Sequence, residues 1–176
     1  MGKREIKVSK KRQVSTYTYL LNTSEVMLRK AQNDQEGAVH HVMASLIFIA
    51  FTMEACLNHL GLSIFECWDD VERQLSPLSK LNLIVEKLGV KRNKGRRLYQ
   101  TVSEVFTFRN LLAHGKSELL KSRNENRFVD DKFEPYTEEP LKTNWENFCT
   151  KKNAIRALTD IKAIDNSLVN SGIIMI

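Results

Sequence analysis

The sequence predicts an all-α protein, a bundle of about five helices, and three observations carry that reading. The 176-residue chain holds only seven glycines and three prolines, too few for a turn-rich sheet architecture. Its abundant Leu, Ile, Lys and Glu favour helix over strand. Apolar residues recur at three- and four-residue spacing along several long segments, the period of a helix with one buried face. With 42% hydrophobic and 27% charged residues, the chain has the balance of one globular domain able to bury a core.

Each element follows from its own pattern. Tyr17, Leu20, Leu21, Ser24, Met27, Leu28 and Ala31 trace one face of a first helix over about residues 15–33. The next segment, EGAVHHVMASLIFIAFTMEACLNHLG, is apolar nearly all round, as a helix at the centre of a bundle must be. Its strongest apolar run reads as too short to span a bilayer and contains Glu54, so it is assigned to the core. In LSPLSKLNLIVEKLG, Ser76 is placed to cap, Pro77 suits the first helical position, and Gly89 ends a third helix with an apolar stripe of Leu78, Leu81, Ile84, Val85 and Leu88. A fourth helix over about residues 94–114 carries Leu98, Val102, Val105, Phe106 and Leu112 on one side, with Gly115 as its left-handed terminator.

Residues 116–144 are polar, hold Pro135 and Pro140 and keep no helical period, so a long irregular loop is expected there, with NRFVDDKFEPY as a small hairpin. A last helix over about 145–169 uses Trp145, Phe148, Ile155, Leu158, Ile161 and Leu168. The expected organisation is a basic N-terminal arm (1–14), a helical domain (15–170) and an apolar tail ending in GIIMI (171–176).

The net charge of +6 favours a polyanionic partner, because Lys and Arg that neutralise phosphates release counterions. Cys56, Cys67 and Cys149 form no C-x-x-C pair, and their odd number suits a reducing cytosol better than a disulfide framework. No metal site and no cofactor are expected. The segment MGKREIKVSKKRQ has no apolar stretch behind its charge and lacks the Ser or Thr of a myristoylation motif, so a cytoplasmic protein with no membrane partner is expected.

The stretch VFTFRNLLAHGKS concentrates the chemistry. Asn110 and His114 are four apart and share one edge of the helix, whereas Arg109 and His114 diverge by about 140° on a straight helix. They converge if the last turn unwinds at Gly115, or if two copies combine their side chains across a two-fold axis. Arg offers a planar fork to phosphate oxygens and His moves protons near neutral pH. The pair suits RNA cleavage, with the 2′-hydroxyl attacking the adjacent phosphorus and the guanidinium stabilising the charge on the phosphoryl oxygens. His114 can serve as the base, or, at a helix C-terminus that favours its protonated form, as the acid.

With Arg109, Asn110 and His114 in RNLLAH, the sequence resembles the HEPN superfamily, whose feature is an R-x(4-6)-H motif, commonly R-N-x-x-x-H, near the end of an inner helix of an all-α bundle. The resemblance implies a metal-independent endoribonuclease with Arg109 and His114 catalytic, Asn110 supporting, and an active site shared by two subunits. It also implies a setting in toxin–antitoxin, phage-defence or CRISPR-associated systems, with an antitoxin or other protein as partner. Some members of that superfamily bind nucleotide, nucleic acid or a partner protein without cutting, and that is the alternative reading here.

Glu54 sits inside FIAFTMEACLNHL, with Asn58 one turn on along the same face. Either both lie in water at the rim of the core, or Glu54 faces the motif helix and orients Arg109. KRNKGRR, with Lys91, Arg92, Lys94, Arg96 and Arg97, is either a solvated loop or a contact for the RNA backbone. His40 and His41 point to different sides of a helix and make a poor metal pair.

Overall fold

A computed structural model describes residues 7–12, 14–89, 97–122 and 140–170, with residues 169 and 170 described by their backbone alone. The architecture is all-α: α1 (Thr16–Asn33), α2 (Ala38–Ile64), α3 (Trp68–Val71), α4 (Pro77–Lys87), α5 (Arg97–Ala113), α6 (Asn144–Phe148) and α7 (Lys151–Asn170). Among the described residues there is no strand. The expected hairpin, the residues Lys91, Arg92, Lys94 and Arg96, and the GIIMI tail lie outside the described residues.

The near-uniform apolarity of α2 puts it in the middle, against α1, α4, α5 and α7. Its buried residues, among them Leu46, Ile49, Met53, Leu57 and Leu60, are the spine of a single hydrophobic core. At 27 residues α2 is long and apolar enough to cross a bilayer by length and composition, against the shorter run read from sequence. Here it spans the bundle.

α1 and α2 form a helical hairpin. Asp34 Oδ1 accepts from Glu36 N–H at 3.1 Å, and Gly37, at φ 68°, takes the left-handed turn that starts α2. Small residues let the two helices approach: Ser24 and Ala31 are fully buried, and Ser45 Oγ donates to Ser24 O at 3.0 Å. α7 closes the bundle against α1 through Lys162 Nζ and Glu25 Oε1, 2.6 Å apart.

The start of α4 follows the expected punctuation. Ser76 Oγ accepts from Ser79 N–H at 3.1 Å, Pro77 opens the helix, and Gly89 leaves it at φ 66°. Three expectations change. Gly115 does not adopt a positive φ; a Cβ there would lie 3.0 Å from Leu111 O, so its smallness serves a close backbone approach instead. The last helix is two helices: Cys149, at ψ 67°, leaves the helical region, and Thr150 Oγ1 accepts from Asn153 N–H at 3.2 Å to begin α7. Ile155 faces outward, 44% exposed, because the break at Cys149 resets the helical phase and Ala154, Ala157 and Ile161 fill the core.

The four-residue α3 carries no sequence period of its own. It is held by Trp68, buried against Gly61 and stacked on Phe65 with ring centroids 5.5 Å apart.

Candidate functional site

α5 presents two different faces at its C-terminal end. One turns inward toward α2 and α4 and carries Arg109. Arg109 Nη2 donates to Glu54 Oε2 at 2.8 Å, and the guanidinium carbon lies 5.6 Å from the centre of the Phe106 ring. Its side chain is 24% exposed, and its Nε is buried with no hydrogen-bond partner among the described residues. The guanidinium is thus oriented by one carboxylate and one ring face, with donor capacity left over.

Glu54 in turn is shared. Its Oε1 lies 3.8 Å from Lys80 Nζ, and Lys80 Nζ donates to Asn58 Oδ1 at 2.7 Å. The Lys80 side chain is only 4% exposed. A lysine buried to that degree needs acceptors, and Glu54 and Asn58, one turn apart on α2, supply them. The result is a chain of polar contacts, Asn58 to Lys80 to Glu54 to Arg109, tying α2, α4 and α5 together beneath the motif. Sequence reasoning missed Lys80. The signal was present, because Lys80 falls on the apolar stripe of its own helix, beside Leu81 and one turn before Ile84.

The other face turns outward. Asn110 and His114, both exposed, line an open groove of about 460 Å³ together with Thr107, Leu111, Lys116 and Glu118. The helical hydrogen bonding persists to the motif's end, with His114 N–H donating to Asn110 O at 3.0 Å. The last turn therefore does not unwind before His114. Arg109 and His114 leave a regular helix about 140° apart, and Arg109 does not line the groove. One chain brings Asn110 to His114 and Glu54 to Arg109; it does not bring Arg109 to His114.

Of the basic run before α5, Arg97 is described. It opens α5 and bonds through Nη2 to Oδ1 of Asp160, a fully buried carboxylate that also accepts from Thr101 Oγ1 at 2.7 Å. This pairing ties α5 to α7 and gives Arg97 a structural partner in the chain itself, while its side chain stays largely exposed.

Cys56 and Cys149 offer no activated nucleophile. Cys56 Sγ donates to Asp165 Oδ1 at 3.3 Å; burial first, and then the Asp165 charge and hydrogen bond, push its thiol far above the ordinary range. Burial pushes Cys149 up to about 11. Cys67 is exposed and free. Among the described residues no group of three His, Cys, Asp or Glu gathers as metal ligands do. His40 is exposed, His41 half-buried with Nδ1 unpartnered among the described residues, and His59 packs on Tyr17 with ring centroids 5.6 Å apart. Compared with known proteins, the chain matches no family model, no curated protein and no solved structure.

Proposed function

We propose that this protein is an endoribonuclease that works as a homodimer, cutting RNA with Arg109 and His114 drawn from two copies of the chain. The observation that carries the reading is the division of labour at the end of α5. An arginine is held in place by Glu54 with donors to spare, and an exposed histidine and asparagine share an open groove. Such groups cut RNA without calling on a metal: His114 takes the proton of a 2′-hydroxyl, whose oxygen then attacks the neighbouring phosphorus. Arg109 stabilises the charge on the phosphoryl oxygens as the bond from phosphorus to the 5′-oxygen breaks, and that oxygen takes a proton from solvent, yielding a 2′,3′-cyclic phosphodiester and a free 5′-hydroxyl. Asn110 helps position the phosphate.

The second copy follows from the divergence within one copy. A two-fold axis beside the end of α5 brings the Arg109 of one protomer toward the His114 of the other. A role in toxin–antitoxin or phage-defence systems, in the cytoplasm and with an antitoxin or other protein partner, rests on the resemblance of RNLLAH to the HEPN motif. The alternative, a non-catalytic module of the same shape that binds nucleotide, nucleic acid or a partner protein, draws on the same divergence: Arg109 is already occupied by Glu54, on the side of α5 away from His114.

The test is cleavage of mixed RNA in EDTA by wild type, Arg109→Ala and His114→Ala, followed by a mixture of the two inactive variants. Wild type should cut, each variant should not, and the unfolded and refolded mixture should regain cleavage, because its mixed dimers contain one intact pair. Equal background in all samples ends the enzyme reading. Cleavage by wild type without recovery in the mixture removes the shared site.

A further inference from the structure

A second hollow adjoins the groove on the outer side of α5. It measures about 200 Å³ and lies between Thr107, Phe108 and Leu111 of α5 and Asn144, Trp145 and Phe148 of α6. Thr107 and Leu111 line both hollows, so the pocket lies directly beside the groove that holds Asn110 and His114.

The pocket is built rather than incidental. α6 has five residues, too short to persist by itself, and is fixed by a reciprocal cap. Thr143 Oγ1 accepts from Glu146 N–H at 3.3 Å, and Glu146 Oε2 accepts from Thr143 N–H at 2.7 Å. That cap sets Trp145, half-buried, as one wall. Phe148 packs on Phe108, ring centroids 5.5 Å apart and planes tilted by 44°, so the lining is largely aromatic, with Trp145 a partly exposed ring.

The rim is polar. The side chains of Ser103, Thr107 and Asn144 make no hydrogen bond to other described residues. The one carboxylate on the lining, Glu104, is held by Arg156 at 2.5 Å and so does not repel a phosphate chain as a bare charge would.

We infer that this pocket takes one nucleobase of a single-stranded RNA whose backbone crosses the Asn110–His114 groove, the base stacking on Trp145. The inference rests on the ribonuclease reading and names the form of its substrate. An aromatic wall suits any base, because every base has a π-face, and unspent hydroxyl and amide groups suit a base edge better than an aliphatic side chain. The volume is below the roughly 300–1,000 Å³ of pockets for larger ligands, which fits one planar ring system rather than a whole nucleotide.

The test uses the full chain and a short 2′-O-methyl RNA strand of mixed sequence, which binds but lacks the attacking hydroxyl. Of the two tryptophans, Trp68 is buried, so quenching of fluorescence on saturation reports Trp145. Quenching is expected, with Trp145→Ala binding roughly 5- to 150-fold more weakly, the loss of one base–aromatic stack, and Trp145→Phe keeping most of the affinity. Thermal melts check that both variants fold, and the quenching decides the matter if the alanine variant does not. Unchanged fluorescence at saturation, or full affinity in Trp145→Ala, overturns the base pocket. If the strand binds through Trp145 while its cleavable counterpart stays intact, only the ribonuclease reading falls. If wild type cuts RNA and Trp145→Ala keeps the same KM, only the base pocket falls.

Discussion

Lys80 Nζ lies 2.7 Å from Asn58 Oδ1 at a depth where almost none of the lysine side chain reaches water. Removing the acceptor and keeping the donor is therefore the harsher change. Asn58→Ala should cost roughly 1.5–3 kcal/mol, the range for a hydrogen bond to a charged group, because the lysine keeps only the more distant Glu54 oxygen. Lys80→Met keeps the length of the side chain and deletes the charge, and in the Asn58→Ala background it should restore part of the loss. Urea midpoints of the two single variants and the double variant measure the coupling. Additive effects would show that the contact contributes nothing of its own.

Glu54 joins that buried lysine to Arg109, so its charge has two tasks. Glu54→Gln keeps the shape and loses the ion pair at 2.8 Å. With 32% of the Glu54 side chain exposed, stability should change by no more than about 1 kcal/mol. On the proposed ribonuclease reading, RNA cleavage should fall at least about tenfold, mostly in kcat, as the guanidinium loses its orientation. Unaltered kcat in a folded Glu54→Gln protein would mean that Arg109 does not need Glu54 for chemistry.

Most of the fold was legible because its signals are local. The stripe beginning at Tyr17, the cap and proline at Ser76 and Pro77, and the glycine after Leu88 each report a boundary within one turn of the chain. The break between α6 and α7 was not legible, since Thr143 and Thr150 both cap helices while the apolar spacing from Trp145 to Leu168 looks continuous. Left-handed geometry at Gly115 was expected from a rule about glycine after helices, whereas the crowding of Leu111 O depends on the actual path of the chain. At the site, Asn110 and His114 could be read as neighbours from their spacing. The contact of Arg109 with Glu54 joins residues 55 apart and was one of two open alternatives. Lys80 stands on the apolar stripe of its own helix and could have been found there, but the acceptors that permit its burial come from another helix, and no single-helix pattern names them.

The thiols give a prediction in pH. Cys149 is held up to about 11 and Cys56 higher, against an ordinary value of 9.0, so the native state keeps protons that the unfolded state gives up. Their contribution is complete below 9.0 and is lost as pH rises through the native values. Urea midpoints should fall between pH 9 and pH 11, and a Cys56→Ala, Cys149→Ala double variant should flatten that slope. At pH 8 a thiol reagent should label Cys67 alone in the native protein, with the other two appearing only in denaturant. Rapid labelling of two or three thiols without denaturant would contradict the burial.

Gly61 is the position where a single added carbon should do the most damage. A Cβ built there lies 2.0 Å from Trp68 Cε2, with two further atoms of the same indole within 2.4 Å, so helix and ring cannot both keep their places. In an ordinary helix interior, glycine to alanine stabilises by about 1 kcal/mol through backbone entropy. Here the overlap reverses that sign. Trp68 must leave its seat between Gly61 and Phe65, and overpacking of this kind costs typically 1–3 kcal/mol. Gly61→Ala should therefore lower Tm by several degrees and shift the emission of Trp68 to the red as the indole meets water. Gly61→Ala combined with Trp68→Leu should recover part of the loss, because the smaller side chain leaves room for the methyl group. A Gly61→Ala protein that melts at or above the wild-type temperature would show that α3 does not lie against α2 at this point.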